Sequence, residues 1–182
     1  MSQQPAMLKS VTGRPMALEG VTARGAVRGL LFELTVEQRY RNPGTKNVEA
    51  VYTFPLPFEA VLLDLDVELN GRKLSAVVVE KKEAEGRYEK AIDQGDSAIM
   101  LERAGDGLCT LNLGNLMAGE SATIRYRYAQ LLRYEHGSVR IAVPTVIAPR
   151  YGDPAAAGLA PHQVPVTDLA VAYPFELSID LA

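Results

Sequence analysis

Residues 61–69 read Val-Leu-Leu-Asp-Leu-Asp-Val-Glu-Leu and run straight into Asn70-Gly71. Every odd position is apolar, and Asp64, Asp66 and Glu68 face the other way, which is the pattern of a strand with one buried face. Asn-Gly suits a two-residue type I′ turn, because both central residues of that turn need positive φ. A two-residue loop sets Leu69 opposite Arg72, Val67 opposite Leu74, Leu65 opposite Ala76 and Leu63 opposite Val78. Glu68 then faces Lys73. The apolar face continues across both strands in that register, so the pattern and the turn agree on an antiparallel hairpin.

The same period of two recurs along the chain. Phe32, Leu34, Val36, Gln38 and Tyr40 share a face, with Glu33, Thr35, Glu37 and Arg39 on the other. Ile124, Tyr126 and Tyr128 alternate with Arg125 and Arg127. Shorter strands are expected at 48–54, 98–102, 108–113 and 139–143. Turn formers separate them at Asn42-Pro43-Gly44, Gly105-Asp106-Gly107 and Ala118-Gly119-Glu120. Residues 80–94 break the rule. Ala84, Tyr88, Ala91 and Ile92 fall on one helical stripe, the other faces are charged, and Gly95 stands where a left-handed C-cap is expected. The expected fold is therefore mainly β: a β-sandwich of antiparallel strands with one inserted amphipathic α-helix at about 80–94.

Past Tyr151 the sequence becomes rich in Ala, Pro and Gly up to Pro165, which reads as a linker. Phe175, Leu177, Ile179 and Leu181 then alternate with Glu176, Ser178 and Asp180, the pattern of a final strand. Its partners are expected beyond Ala182, in its own sheet, or in a second copy of the chain, the last of which would make a homo-oligomer.

Charge and residue counts narrow the function. With 19 Lys plus Arg against 22 Asp plus Glu, the net charge is −3, without the basic excess that phosphate backbones demand. The alternation also sends Arg125 and Arg127 to one face and Tyr126 and Tyr128 to the other, which argues against base stacking and against nucleic acid as a partner. One cysteine cannot form an internal disulfide, and Cys109, His136 and His162 lack the spacing of metal ligands. Cys109 shares a strand face with Leu111 and Leu113, so it reads as a small buried hydrophobe. His136 belongs to a hairpin tip. Asp64, Asp66 and Glu68 line a wet face beside Lys73 rather than converging on a cation. No cofactor, metal site or catalytic group is expected, and the chain reads as a non-enzyme. The sequence shows neither a signal peptide nor an apolar run long enough for a membrane span, so the reading is cytoplasmic by default.

Four stretches, in order and with matching spacing, carry a resemblance. Residues 47–57, Asn-Val-Glu-Ala-Val-Tyr-Thr-Phe-Pro-Leu-Pro, resemble a segment found in the VIT domain, the domain shared by vault proteins and inter-alpha-trypsin inhibitor heavy chains. Glu80-Lys81-Lys82-Glu83-Ala84 with Tyr88, Ala91 and Gly95 resembles a second segment of that family. Leu113-Gly114-Asn115-Leu116 with Gly119-Glu120 resembles a third, although Met117-Ala118 stands where many members have Pro in the second place. Residues 140–151 resemble the stretch that closes the domain. The resemblance implies a β-sandwich with an inserted helix, serving as a protein–protein interaction or scaffolding module N-terminal to a von Willebrand factor A domain. That domain would be a partner within the same, longer protein. The chain then divides into an N-terminal extension (1–14), a VIT-like sandwich (15–151), and a Pro/Ala-rich linker with a final strand leading towards a missing downstream domain (152–182). Two alternative roles stand: a purely structural brace for that neighbour, and behind it an enzyme of unknown type.

Phe54-Pro55-Leu56-Pro57-Phe58 closes a strand, since each proline fixes φ and removes a donor. Two readings stand. The five residues form a rigid loop that plugs one end of the sandwich, with Phe54 and Leu56 as anchors, or they form an exposed apolar platform for a partner.

Overall fold

The computed structural model describes residues 4–5, 7–10, 16–69, 71–75, 90, 98–104, 108–144, 146–147 and 173–182. Its strands in the first half are β1 (Gln4–Pro5), β2 (Met7–Ser10), β3 (Ala17–Arg28), β4 (Leu31–Arg41), β5 (Val48–Pro55), β6 (Val61–Leu69) and β7 (Arg72–Ser75). The second half adds β8 (Ala98–Ala104), β9 (Leu108–Leu116), β10 (Ser121–Leu131), β11 (Tyr134–Glu135), β12 (Ser138–Val139), β13 (Val146–Ile147) and β14 (Phe175–Leu181). The protein is mainly β. The expected helix over 80–94 lies, apart from Lys90, outside the described residues.

Two sheets carry the fold. A six-stranded sheet has the order β14-β3-β4-β10-β6-β7, and a four-stranded sheet the order β2-β5-β9-β8. Residues 1–14, expected as an extension, supply β1 and β2, and β2 pairs with β5. One hydrophobic cluster draws on both sheets. Phe54 of β5 stacks on Tyr126 of β10 with ring centroids 4.3 Å apart, and Tyr40 of β4 meets Tyr52 of β5 edge-on at 5.9 Å. Each such pair contributes about 0.5–1.5 kcal/mol beyond the area it buries.

The hairpin of β6 and β7 has the expected register at Leu69–Arg72, Glu68–Lys73 and Val67–Leu74. The expected pairs at Ala76 and Val78 lie outside the described residues. Alternation along β6 fails at its start. A bulge opposite Arg127 and Tyr128 pairs Tyr128 with Leu62. Leu62 therefore packs on the core, while Val61 and Leu63 stand 63% and 44% exposed. A bulge adds one residue to one strand and so reverses the parity beyond it. The strand expected at 139–143 is also shorter, since β12 ends at Val139.

β14 pairs with β3 in parallel, Phe175 against Val21 through Leu181 against Val27. The antiparallel arrangement expected throughout therefore fails for this pair, and the strand finds a partner within its own chain. A parallel pair needs a long connection, and most of the chain separates β3 from β14.

β3 lacks the large residues that advertise a strand, and Gly25 shows why. A methyl group there would stand 2.8 Å from Phe32 Cε2 and 2.9 Å from Leu34 Cδ1. Both side chains are fully buried, so neither has room to move. Gly25→Ala is expected to destabilise the fold by about 1–3 kcal/mol through overpacking. A urea unfolding midpoint equal to that of the parent would show that the site relaxes freely.

Candidate functional site

The groups that could do chemistry sit apart. Cys109 is buried in β9, in the same alternation as Leu111 and Leu113, which are also buried. His136 lies on the opposite kind of site, an exposed hairpin tip. It joins β11 to β12, and His136 and Gly137 both have positive φ, 53° and 78°, as a two-residue I′ turn requires. His162 lies outside the described residues. Among the described residues no group of three His, Cys, Asp or Glu is placed to hold a metal.

A groove of about 390 Å³ runs beneath that tip, with Glu59, Gln130, Leu132, Arg133, His136 and Arg140 in its wall. Arg133 forms an ion pair with Glu59 across it. The groove mixes both charges, and the Ser138 hydroxyl in its wall donates to the Glu135 carbonyl at 3.1 Å. The groove was not visible in the sequence, because its walls come from the turn before β6 and from the run of chain between the end of β10 and Ala142.

Tyrosines and arginines on β10 divide as the alternation requires. Tyr126 and Tyr128 are buried and Arg125 and Arg127 exposed. Arg125 binds Glu37 of β4 at 2.5 Å, Arg127 binds Asp64 of β6 at 2.8 Å, and Lys73 binds Asp66 at 2.8 Å. The hydrogen bonds that Arg125 donates to the Glu37 carboxylate are the main reason its guanidinium titrates above its ordinary range. Asp64 and Asp66 are thus consumed in a solvated ladder of cross-strand pairs.

The five residues of the candidate interaction surface separate. Phe54 and Pro55 are buried, Leu56 and Pro57 are half-buried, and Phe58 is 76% exposed. Leu56 packs against the core. Ala60 N–H donates to the Pro57 carbonyl at 3.0 Å and closes the turn that presents Phe58.

A polar clasp joins the loop after β4 to the turn after β9. Asn42 is 2% exposed. Its amide nitrogen donates to the carbonyls of Lys46 at 3.0 Å, Leu116 at 3.2 Å and Met117 at 3.0 Å. Its Oδ1 accepts from Gly44 N–H at 3.0 Å, and its backbone exchanges bonds with Gly119 and Glu120. The buried Glu120 carboxylate accepts from Met117 N–H at 2.7 Å. Gly119 has φ of 75°, which a side chain would resist.

Residues 18–128 match the family described as the Vault protein inter-alpha-trypsin domain, VIT. The chain belongs to that family. Of the four stretches singled out in the sequence, the first and the third have physical roles: residues 48–55 are β5 at the sheet-to-sheet contact, and Gly119-Glu120 closes the clasp. The VIT chain is 30% identical over 142 residues to the human von Willebrand factor A domain-containing protein 5A, covering 75% of this chain and 18% of that protein. It is 27% identical over 148 residues to mouse protein mono-ADP-ribosyltransferase PARP4, covering 81% of this chain and 8% of that protein. It thus spans a fifth or less of the length of these relatives. Among solved structures, a putative nutrient binding protein from Legionella pneumophila aligns over 75% of this chain and 46% of its own, at 10% identity and a TM-score of 0.42. That likeness is too slight to support a fold assignment.

Asn42→Asp removes both amide donors and sets a carboxylate against three carbonyls. It should cost about 3 kcal/mol or more at neutral pH, and less at low pH, where a protonated acid can donate one bond. A pH-independent loss in urea melts would contradict the clasp. Burial raises the titration of Tyr52, Tyr126 and Tyr128 above the ordinary tyrosine range. The unfolded chain ionises these groups at about pH 10 and the folded one resists. Stability from them is complete below that pH and is lost as pH rises above it. Absorbance at the phenolate band should rise in two stages, exposed tyrosines first and the buried ones together with unfolding. A single smooth stage on a folded protein would contradict their burial.

Proposed function

We propose that this VIT chain is a non-enzymatic protein–protein interaction module that works beside a von Willebrand factor A domain in a longer protein. Membership of the VIT family carries the reading, together with relatives named for their von Willebrand factor A domains. The separation of Cys109 in the core from His136 at an exposed tip is consistent with it, since covalent catalysis needs nucleophile and base within hydrogen-bond reach. The architecture that fits is a β-sandwich, whose two sheets meet through Phe54 on Tyr126 and Tyr40 on Tyr52. The family unit is 15–151, with β2 and β14 added to its sheets from either side. Within the candidate surface, Phe58 is the residue free to touch a partner.

The competing role is a brace for the neighbouring domain that binds nothing in trans. Cross-linking and co-purification with the 182-residue chain, and with a version extended through its neighbour, separate the two. The interaction reading predicts the same partner from both. Recovery only from the extended version, with the partner cross-linked to the neighbour alone, would favour the brace.

A further inference from the structure

Among the described residues β14 is the edge strand of the six-stranded sheet: only β3 pairs with it, and six of its seven residues are exposed. Its backbone groups divide by parity. Ala182 N–H donates to the Val27 carbonyl and the Pro174 carbonyl accepts from Val21 N–H, both at 3.0 Å. Even-numbered residues therefore bond to β3, and the N–H and C=O groups of Phe175, Leu177, Ile179 and Leu181 point to the open side. The side chains divide too. Phe175, Leu177 and Leu181 are 49%, 43% and 76% exposed and lie on the side of the sheet where Val21, Ala23 and Val27 are buried. Glu176 and Asp180 lie on the other side, where Arg24 stands 3.7 Å from Glu176. The edge carries no Pro, Lys or bulge to discourage pairing.

We propose that β14 is a docking edge for an extended segment of another protein in which apolar and basic residues alternate. Such a segment adds a seventh strand. Its backbone meets the four outward N–H and C=O pairs, its apolar side chains continue the face of Phe175, Leu177 and Leu181, and its Lys or Arg residues stand beside Glu176 and Asp180. A second copy of this chain fits poorly. In the two-fold antiparallel register that pairs all seven residues, centred on Ser178, Glu176 falls opposite Asp180, and like charges directly opposite are destabilising. The proposal rests on the reading of the chain as an interaction module and names its surface.

The test uses the 182-residue chain and two synthetic peptides of about nine residues, a common strand length, one alternating Val and Lys and one alternating Val and Glu. Binding is read by fluorescence anisotropy and the site by amide hydrogen exchange. The Val-Lys peptide should bind saturably and slow exchange at Phe175, Leu177, Ile179 and Leu181. The Val-Glu peptide should bind about tenfold or more weakly, given two cross-strand charge pairs. Leu177→Pro removes an outward N–H without a bond to β3 and should abolish binding while β3 stays protected. Glu176→Lys with Asp180→Lys should reverse the order of the two peptides, which keeps the test decisive if the proline variant fails to fold. Equal binding of both peptides, no binding, protection elsewhere, or a dimer by light scattering that already protects the odd-numbered amides would each overturn the proposal. If a partner recovered by co-purification binds away from β14, the module reading stands and the docking edge fails.

Discussion

The contact between Phe54 and Tyr126 holds the two sheets to one another. Phe54 projects from β5 and Tyr126 from β10, and the rings stack at 4.3 Å with 29° between their planes. Tyr52, two residues before Phe54 on the same face, stacks on it at 5.1 Å and reaches Tyr40 on the other sheet. Aromatic rings bury more area per residue than any aliphatic side chain, so a few of them can close a core from two thin sheets. Tyr40, Tyr52, Tyr128, Phe32 and Phe54 are the largest fully buried side chains among the described residues. Phenols bring a polar atom with each ring. Tyr40 answers that by donating to Gln38 at 2.7 Å.

That contact also explains what the flanking segments do. β5 can present Tyr52 and Phe54 only if it ends where the next turn begins, and Pro55 and Pro57 end it by withdrawing two donors from the ladder. The clasp around Asn42 and Glu120 fixes the far end, where β4, β5, β9 and β10 meet their loops. Residues outside this frame are free to vary in role, and these are the ones that reach solvent: Phe58, the hairpin tip at His136, and β14.

Much of this is legible in the sequence, and the exceptions have reasons. The β6–β7 register follows from alternation plus Asn-Gly, both local. Burial of Tyr126, Tyr128 and Cys109 follows from parity within single strands. β3 escapes such reading because its inward residues are Val21, Ala23, Gly25 and Val27, small groups chosen to let Phe32 and Leu34 pass. The exposure of Val61 and Leu63 depends on a bulge, which no pattern of apolar residues announces. The parallel pairing of β14 with β3 joins residues from opposite ends of the chain. Alternation shows that β14 has two faces without showing which strand lies beside it. The groove under His136 is hidden for the same reason, since Glu59 and residues 130–142 come together from separate parts of the chain. The Phe54–Phe58 run reads as one motif, and the structure divides it into buried anchors and a single exposed ring.

The central physical claim is that the aromatic contacts make the two sheets one cooperative unit. Native-state amide hydrogen exchange under increasing denaturant tests it most directly. The account predicts that the slowest amides of β5 and β9 open with the same free energy as those of β4 and β10, and that this equals the free energy of global unfolding. Opening of the four-stranded sheet at a clearly lower free energy, with the six-stranded sheet still closed, would contradict it.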